Sequence, residues 1–228
     1  MLINALQSIA ESPDSRGRGG SKSVSTRYAR KYVQRMLQWG GKLQNEVIQM
    51  TTYGGTELAS AFRTVRNNTI QVAEDIPEVQ YGYVAAPECK CVGRMLTHIA
   101  IAVRFWDDVH RKQRRTTMQG IDFFAMAKRA DEEESAPRSK AEIVELLRTE
   151  GKQFAAWLET LTPEFLAEMV TEGDGKTAKS RFEWLLGAKE HELHHRAQLM
   201  LIERQLGIVP HLTRQRNERI ARMRAAKA

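Results

Sequence analysis

The chain has 228 residues, 42% apolar and 28% charged, an ordinary balance for a soluble globular protein with one buried core, or one core plus an extension. No run of about 18 apolar residues occurs, which argues against a transmembrane helix. The only cysteines, Cys89 and Cys91, are too close for a disulfide framework, and a Cys-x-Cys metal pair is a weak signal. They fit a reducing compartment and a cytoplasmic location.

The formal net charge of +7 is unevenly placed. Residues 1–49 hold eight Lys or Arg against three acids, so most of the excess lies there. A second basic stretch runs from Arg214 to Lys227. Nucleic-acid binding asks for a basic face on the fold, whereas here the charge sits at the two ends, so nucleic acid is not the expected partner.

Residues 12–26 are rich in Ser, Gly and Arg and should not pack. Residues 27–49 can form a short basic helix with Tyr28, Tyr32, Met36 and Trp39 near one face. A targeting segment is a weaker reading of the same composition. The break in composition at Met50 makes that residue a credible start, with 1–49 a basic extension of the reading frame. The expected organisation is therefore an extension over 1–49, a bundle over 50–213 and a basic tail over 214–228.

After Met50 four segments carry apolar residues at steps of three and four, as bundle helices do. The first, 56–76, aligns Leu58, Phe62, Val65, Val72 and Ile76. The second, 88–113, follows Pro87 and aligns Met95, His98, Ala102, Phe105 and Val109. The link 114–138 has Gly120, Pro137 and an acidic run, Asp131–Glu134, read as a solvated loop or helix start. The third segment, 139–161, aligns Ile143, Leu147, Phe154, Leu158 and Leu161. The fourth, 178–206, aligns Trp184, Ala188, His191, His195, Leu199, Ile202 and Leu206, and stops at Gly207. No strand alternation stands out. The expected fold class is all-α, an antiparallel four-helix bundle.

Three histidines fall on core-facing stripes: His98 on the second segment, His191 and His195 on the fourth. Positions four apart share a helix face. One core histidine commonly finds one hydrogen-bond partner, but three leave several polar atoms to satisfy, and a single divalent ion would satisfy them together. His194 could replace a ligand, or face a neighbouring helix or a subunit contact in a homodimer. His110 is expected on the surface, and His211 in a loop without a partner.

His191–His195 also reads H-E-x-x-H, the zincin pattern with Glu as base. The match is incomplete: Gln198 and Leu201 stand where the metzincin extension needs Gly and His, and the sheet of that fold has no counterpart. Glu192 is the nearest acid for proton transfer. Gln198 lies one turn after the ligands and can orient substrate or pack against a helix.

Residues from about 50 to 213 resemble the DinB/YfiT-like metalloenzyme family. The resemblance rests on PECKCVGRMLTH (Pro87–His98), on HELHHRAQ (His191–Gln198), and on Arg204, Leu206, Gly207 and Pro210. This chain departs from the family pattern at Ala197, where Gly is usual, and at Cys91, where Ser is frequent. The resemblance implies a three-histidine site with His98, His191 and His195 as ligands. It also implies one divalent ion, with zinc or nickel first and iron or manganese also compatible. The activity implied is that of a metal-dependent hydrolase or a low-molecular-weight-thiol S-transferase acting on a small electrophilic substrate. Three imidazoles leave a coordination position for water or a thiol, which favours a catalytic over a structural site. A non-catalytic metal-binding stress protein is the alternative.

Overall fold

The computed structural model describes residues 53–227. The basic segment 1–49, with the helix expected over 27–49, lies outside the described residues. The helices are α1 (Gly55–Asp75), α2 (Val92–Trp106), α3 (Phe123–Glu134), α4 (Lys140–Glu159), α5 (Pro163–Ala167), α6 (Arg181–Gln205) and α7 (His211–Ala225). A short antiparallel hairpin, β1 (Met169–Thr171) and β2 (Ala178–Ser180), precedes α6.

Local chemistry sets most helix starts. Ser139 and Ser180 each accept from the backbone N–H three residues on, while Glu142 and Glu183 reach back to the cap, forming two capping boxes. Cys91 caps α2 with no side-chain hydrogen bond. At the far end of α6, Gly207 adopts φ +78° and Ile208 N–H returns to the Glu203 carbonyl at 2.7 Å, ending the helix.

The four long helices α1, α2, α4 and α6 form the bundle. Both α4 and α6 pack against α1 and against α2, so α1 and α2 face each other across the core. Arg63 pairs with Glu159 and Arg148 with Glu74, which makes α1 and α4 antiparallel. His98 meets His191 and Trp106 meets the Trp184 carbonyl, which makes α2 and α6 antiparallel. The other two neighbouring pairs run the same way: Gly93 lies by Ile143 and Arg104 by Glu150, and Tyr53 lies by Phe182 and Arg66 by Glu192. The long connection after α2 allows this, because it carries the chain back before α4 begins.

The expected stripes line the core. Phe62, Val72, Ile76, Leu147, Phe154, Leu158, Leu199 and Ile202 are buried, each contributing roughly 1.5–3 kcal/mol through its apolar surface. A buried polar tie joins the helices as well. Arg66 on α1 donates to both oxygens of Glu192 on α6 at 3.0 Å, to the Leu147 carbonyl on α4 at 2.8 Å and to the Ile99 carbonyl on α2 at 3.2 Å. Gly151 makes this possible, since a Cβ there would come within 2.6 Å of Arg66 Cγ.

Several expectations change. The second segment begins four residues later than expected, after a turn in which Glu88 takes φ 64°, and its last turn widens into a π-helix over Asp107–Lys112. The link 114–138 contains α3. Residues 178–180 are strand rather than helix. The tail expected from 214 belongs to α7, which starts at His211. His110, expected on the surface, is fully buried: its Nδ1 faces Arg181 Nη1 at 3.2 Å. His211 is buried too, and pairs with Asn68 Oδ1 at 3.0 Å.

Candidate metal centre

The antiparallel contact of α2 and α6 brings His98, His191 and His195 together. One ring nitrogen from each lies within 4.8 Å of the others, and the ring centroids are 4.6–4.9 Å apart. His98 Nε2 faces His191 Nε2 at 3.0 Å. All three rings are half-buried.

The groups behind the rings decide which nitrogens face inward. His98 Nδ1 is 2.5 Å from Glu134 Oε1. A carboxylate only accepts, so the proton sits on Nδ1 and the Nε2 lone pair points at the cluster. His195 Nδ1 likewise donates to Gln198 Oε1 at 2.9 Å, while Gln198 Nε2 reaches His194 Nε2 at 3.3 Å. Hydrogen-bonded Nδ1 with free Nε2 is the usual outer arrangement of metal-ligating histidines.

Electrostatics favour neutral ligands. Burial, with the neighbouring His98, His195 and His194, pushes His191 down to about 4. Burial also lowers His195, against the hydrogen bond that its ring donates to Gln198. Burial would raise Glu134, but the bonds from His98 and Lys90 outweigh it and hold the carboxyl below its ordinary value. Lys90 Nζ lies 2.5 Å from Glu134 Oε2. The cluster thus offers three convergent imidazoles, with burial favouring the neutral form of His191 and His195 and an anchored anion behind His98. Tetrahedral ligation at about 2.1 Å needs nitrogens about 3.4 Å apart, within reach of small ring rotations. The donor set fits a divalent ion.

Glu134 went unrecognised in the sequence. It belongs to the acidic run expected as a solvated loop or helix start, yet it is buried at the end of α3. The run itself was visible; which of its acids turns inward depends on how α3 lies against α2. Glu192, expected at the metal for proton transfer, is 1% exposed and bound to Arg66 in the core. Gln198 holds His195 and His194 on the exposed side of α6. His194 is exposed.

Beside the triad lies a cleft of about 610 Å³ between α2 and α3, with His98 and His191 in its lining. Trp106 stands near His191, with ring centroids 6.0 Å apart. Gly187, one turn before His191, leaves room for it: a Cβ there would lie 3.4 Å from the indole.

Fold and site together define a helical-bundle protein with three convergent histidines on two facing helices. The model of the DinB superfamily matches residues 61–199, and the chain belongs to that superfamily. Among solved structures it is similar to the DinB-like protein YjoA of Bacillus subtilis, with 22% identity over 66% of this chain and 92% of that one, at a TM-score of 0.50. It is also similar to YfiT of Bacillus subtilis, described as a probable metal-dependent hydrolase with an unusual four-helix bundle topology. That match has 17% identity over 70% of this chain and 91% of the other, at a TM-score of 0.53. At these identities the likeness concerns the fold. No curated protein matches the chain. Among the described residues, no helix is long and apolar enough to cross a membrane.

Proposed function

We propose that this chain is a metal-dependent enzyme, a hydrolase or a low-molecular-weight-thiol S-transferase acting on a small electrophilic substrate. His98, His191 and His195 hold one divalent ion, zinc or nickel before iron or manganese. The observation that carries this reading is the convergence of three imidazoles, two of them anchored through Nδ1 by Glu134 and Gln198. The description of YfiT as a probable metal-dependent hydrolase supports it. Three protein ligands match catalytic rather than closed structural sites.

Bound there, the ion supplies Lewis acidity to a group sharing its coordination sphere. The chain's own residues do the rest. Glu134 keeps the proton on His98 Nδ1, Lys90 balances the charge of Glu134, and Gln198 holds the His195 ring. Glu192 acts through the core, by fixing α6 beneath His191. The free thiols Cys89 and Cys91 accord with a reducing compartment, the cytoplasm.

Elemental analysis of full-length protein purified without chelator or affinity metal tests the site. One divalent ion per chain is expected, lost in His98→Ala, His191→Ala and His195→Ala and kept in His194→Ala. Loss in His194→Ala with retention in His195→Ala would reassign the ligand. Zinc- and nickel-loaded protein is then assayed on 4-nitrophenyl acetate, and on 1-chloro-2,4-dinitrobenzene with a small thiol. Bound metal without turnover in either assay would leave a metal-binding protein in place of an enzyme.

A further inference from the structure

The cleft beside the triad has an uneven lining. Its walls are apolar: Ile101, Phe105 and Trp106 from α2, and Phe123 and Met126 from α3. Most charged groups that touch it are already engaged. Arg104 is bound to Glu133 and Glu150, Glu134 to His98 and Lys90, and Asp108 to Lys112. Arg129 is different. It lines the cleft, is exposed, and has no ion pair or side-chain hydrogen bond among the described residues.

Arg129 and Glu134 share α3, five residues apart. At 1.5 Å per residue their Cα atoms stand roughly 7–8 Å apart along the axis. Glu134 marks the triad end, because it holds His98. A ligand spanning the cleft therefore meets the histidines at one end, an apolar wall of about one ring's length, and a guanidinium at the solvent edge. A planar guanidinium pairs with a carboxylate through two parallel N–H bonds.

We propose that the cleft takes an amphipathic electrophile: an apolar, ring-sized body against Phe105, Trp106 and Met126, a carboxylate at Arg129, and the reactive carbon towards His98 and His191. The substrate class rests on the reading of the triad as a catalytic metal centre. The binding preference does not, because the carboxylate and the apolar body are recognised by other residues.

The test uses 4-phenylbutyrate, 4-phenylbutanol and butyrate as probes, titrated by calorimetry into the full-length protein. Wild type, Arg129→Ala, Arg129→Lys, Phe105→Ala and His191→Ala are compared, with metal content measured on each. The acid should bind wild type about two- to fivefold more tightly than the alcohol, the range for one exposed ion pair. That preference should vanish in Arg129→Ala, return in part in Arg129→Lys and persist in His191→Ala. Butyrate should bind more weakly than 4-phenylbutyrate, and Phe105→Ala should weaken both phenyl probes.

Equal affinity for acid and alcohol, or no binding of either phenyl probe at millimolar concentration, overturns the proposal. So does a preference that survives Arg129→Ala and disappears with the metal, which would mean the carboxylate ligates the ion. A preference that depends on Arg129 in protein that binds no metal would sustain the cleft and sink the catalytic reading. Bound metal without the preference would do the reverse.

Discussion

Replacing Glu192 by alanine separates a structural carboxylate from a catalytic one. In the intact protein Glu192 is 1% exposed and Arg66 3%, and the pair ties α1 to α6 while Arg66 also reaches carbonyls on α2 and α4. Alanine removes every contact to the carboxylate and leaves the guanidinium buried with two neutral acceptors. Breaking a buried pair from one side costs about 3–5 kcal/mol. For a folded unit of this size each kcal/mol lowers the melting temperature by roughly 2–4 °C, so a fall on the order of 10 °C is expected. Urea denaturation of the variant, with the metal load of each sample matched, measures the free-energy cost, and thermal unfolding measures the fall in melting temperature. The double variant Arg66→Met, Glu192→Leu should recover much of the loss, because no charge then remains buried. A cost below about 1 kcal/mol for Glu192→Ala, or additive single-variant costs in the cycle, would refute the argument. A carboxylate serving only proton transfer would instead leave stability unchanged while turnover collapsed.

Glu134→Ala should weaken metal binding by about 10–100-fold, the range for removing a group that orients a ligand histidine, and Glu134→Gln by less; competition with a chromophoric chelator measures both, and an unchanged affinity would remove Glu134 from the site. Burial and the Arg181 charge lower His110 from 6.5 to about 4. Between these values the unfolded chain binds a proton that the folded chain refuses, so the contribution of His110 is full above pH 6.5 and is lost as pH falls towards 4. Denaturation at pH 7 and pH 5 should show His110→Gln losing about 2 kcal/mol less than wild type over that interval; equal losses would mean the imidazole is not held neutral. Cys91→Ser should stabilise α2 by about 0.5–1 kcal/mol by supplying the cap bond that Cys91 lacks, read as a rise in melting temperature; no change would mean that water already satisfies those N–H groups.

The sequence by itself determined the four long bundle helices and their inward stripes. Steps of three and four mark a buried face whatever the neighbour is, and Gly207 marks a stop through bonds made within a few residues. It also brought His191 and His195 to one face, because that spacing is a property of the helix. Only the tertiary structure decided the rest. Which of the four acids in Asp131–Glu134 turns inward depends on how α3 lies against α2. Glu192 faces Arg66 because α1 and α6 run parallel at a height that places those two side chains together, and Gly151 on a third helix leaves the space. His110 is buried because the widened turn at Asp107–Lys112 and Arg181 enclose it, and neither is visible from periodicity. Short-range geometry repeats along a helix and can be read from spacing. The partner of a buried charge lies across the bundle, about 30 to 130 residues away in these cases, and is settled only when the helices pack.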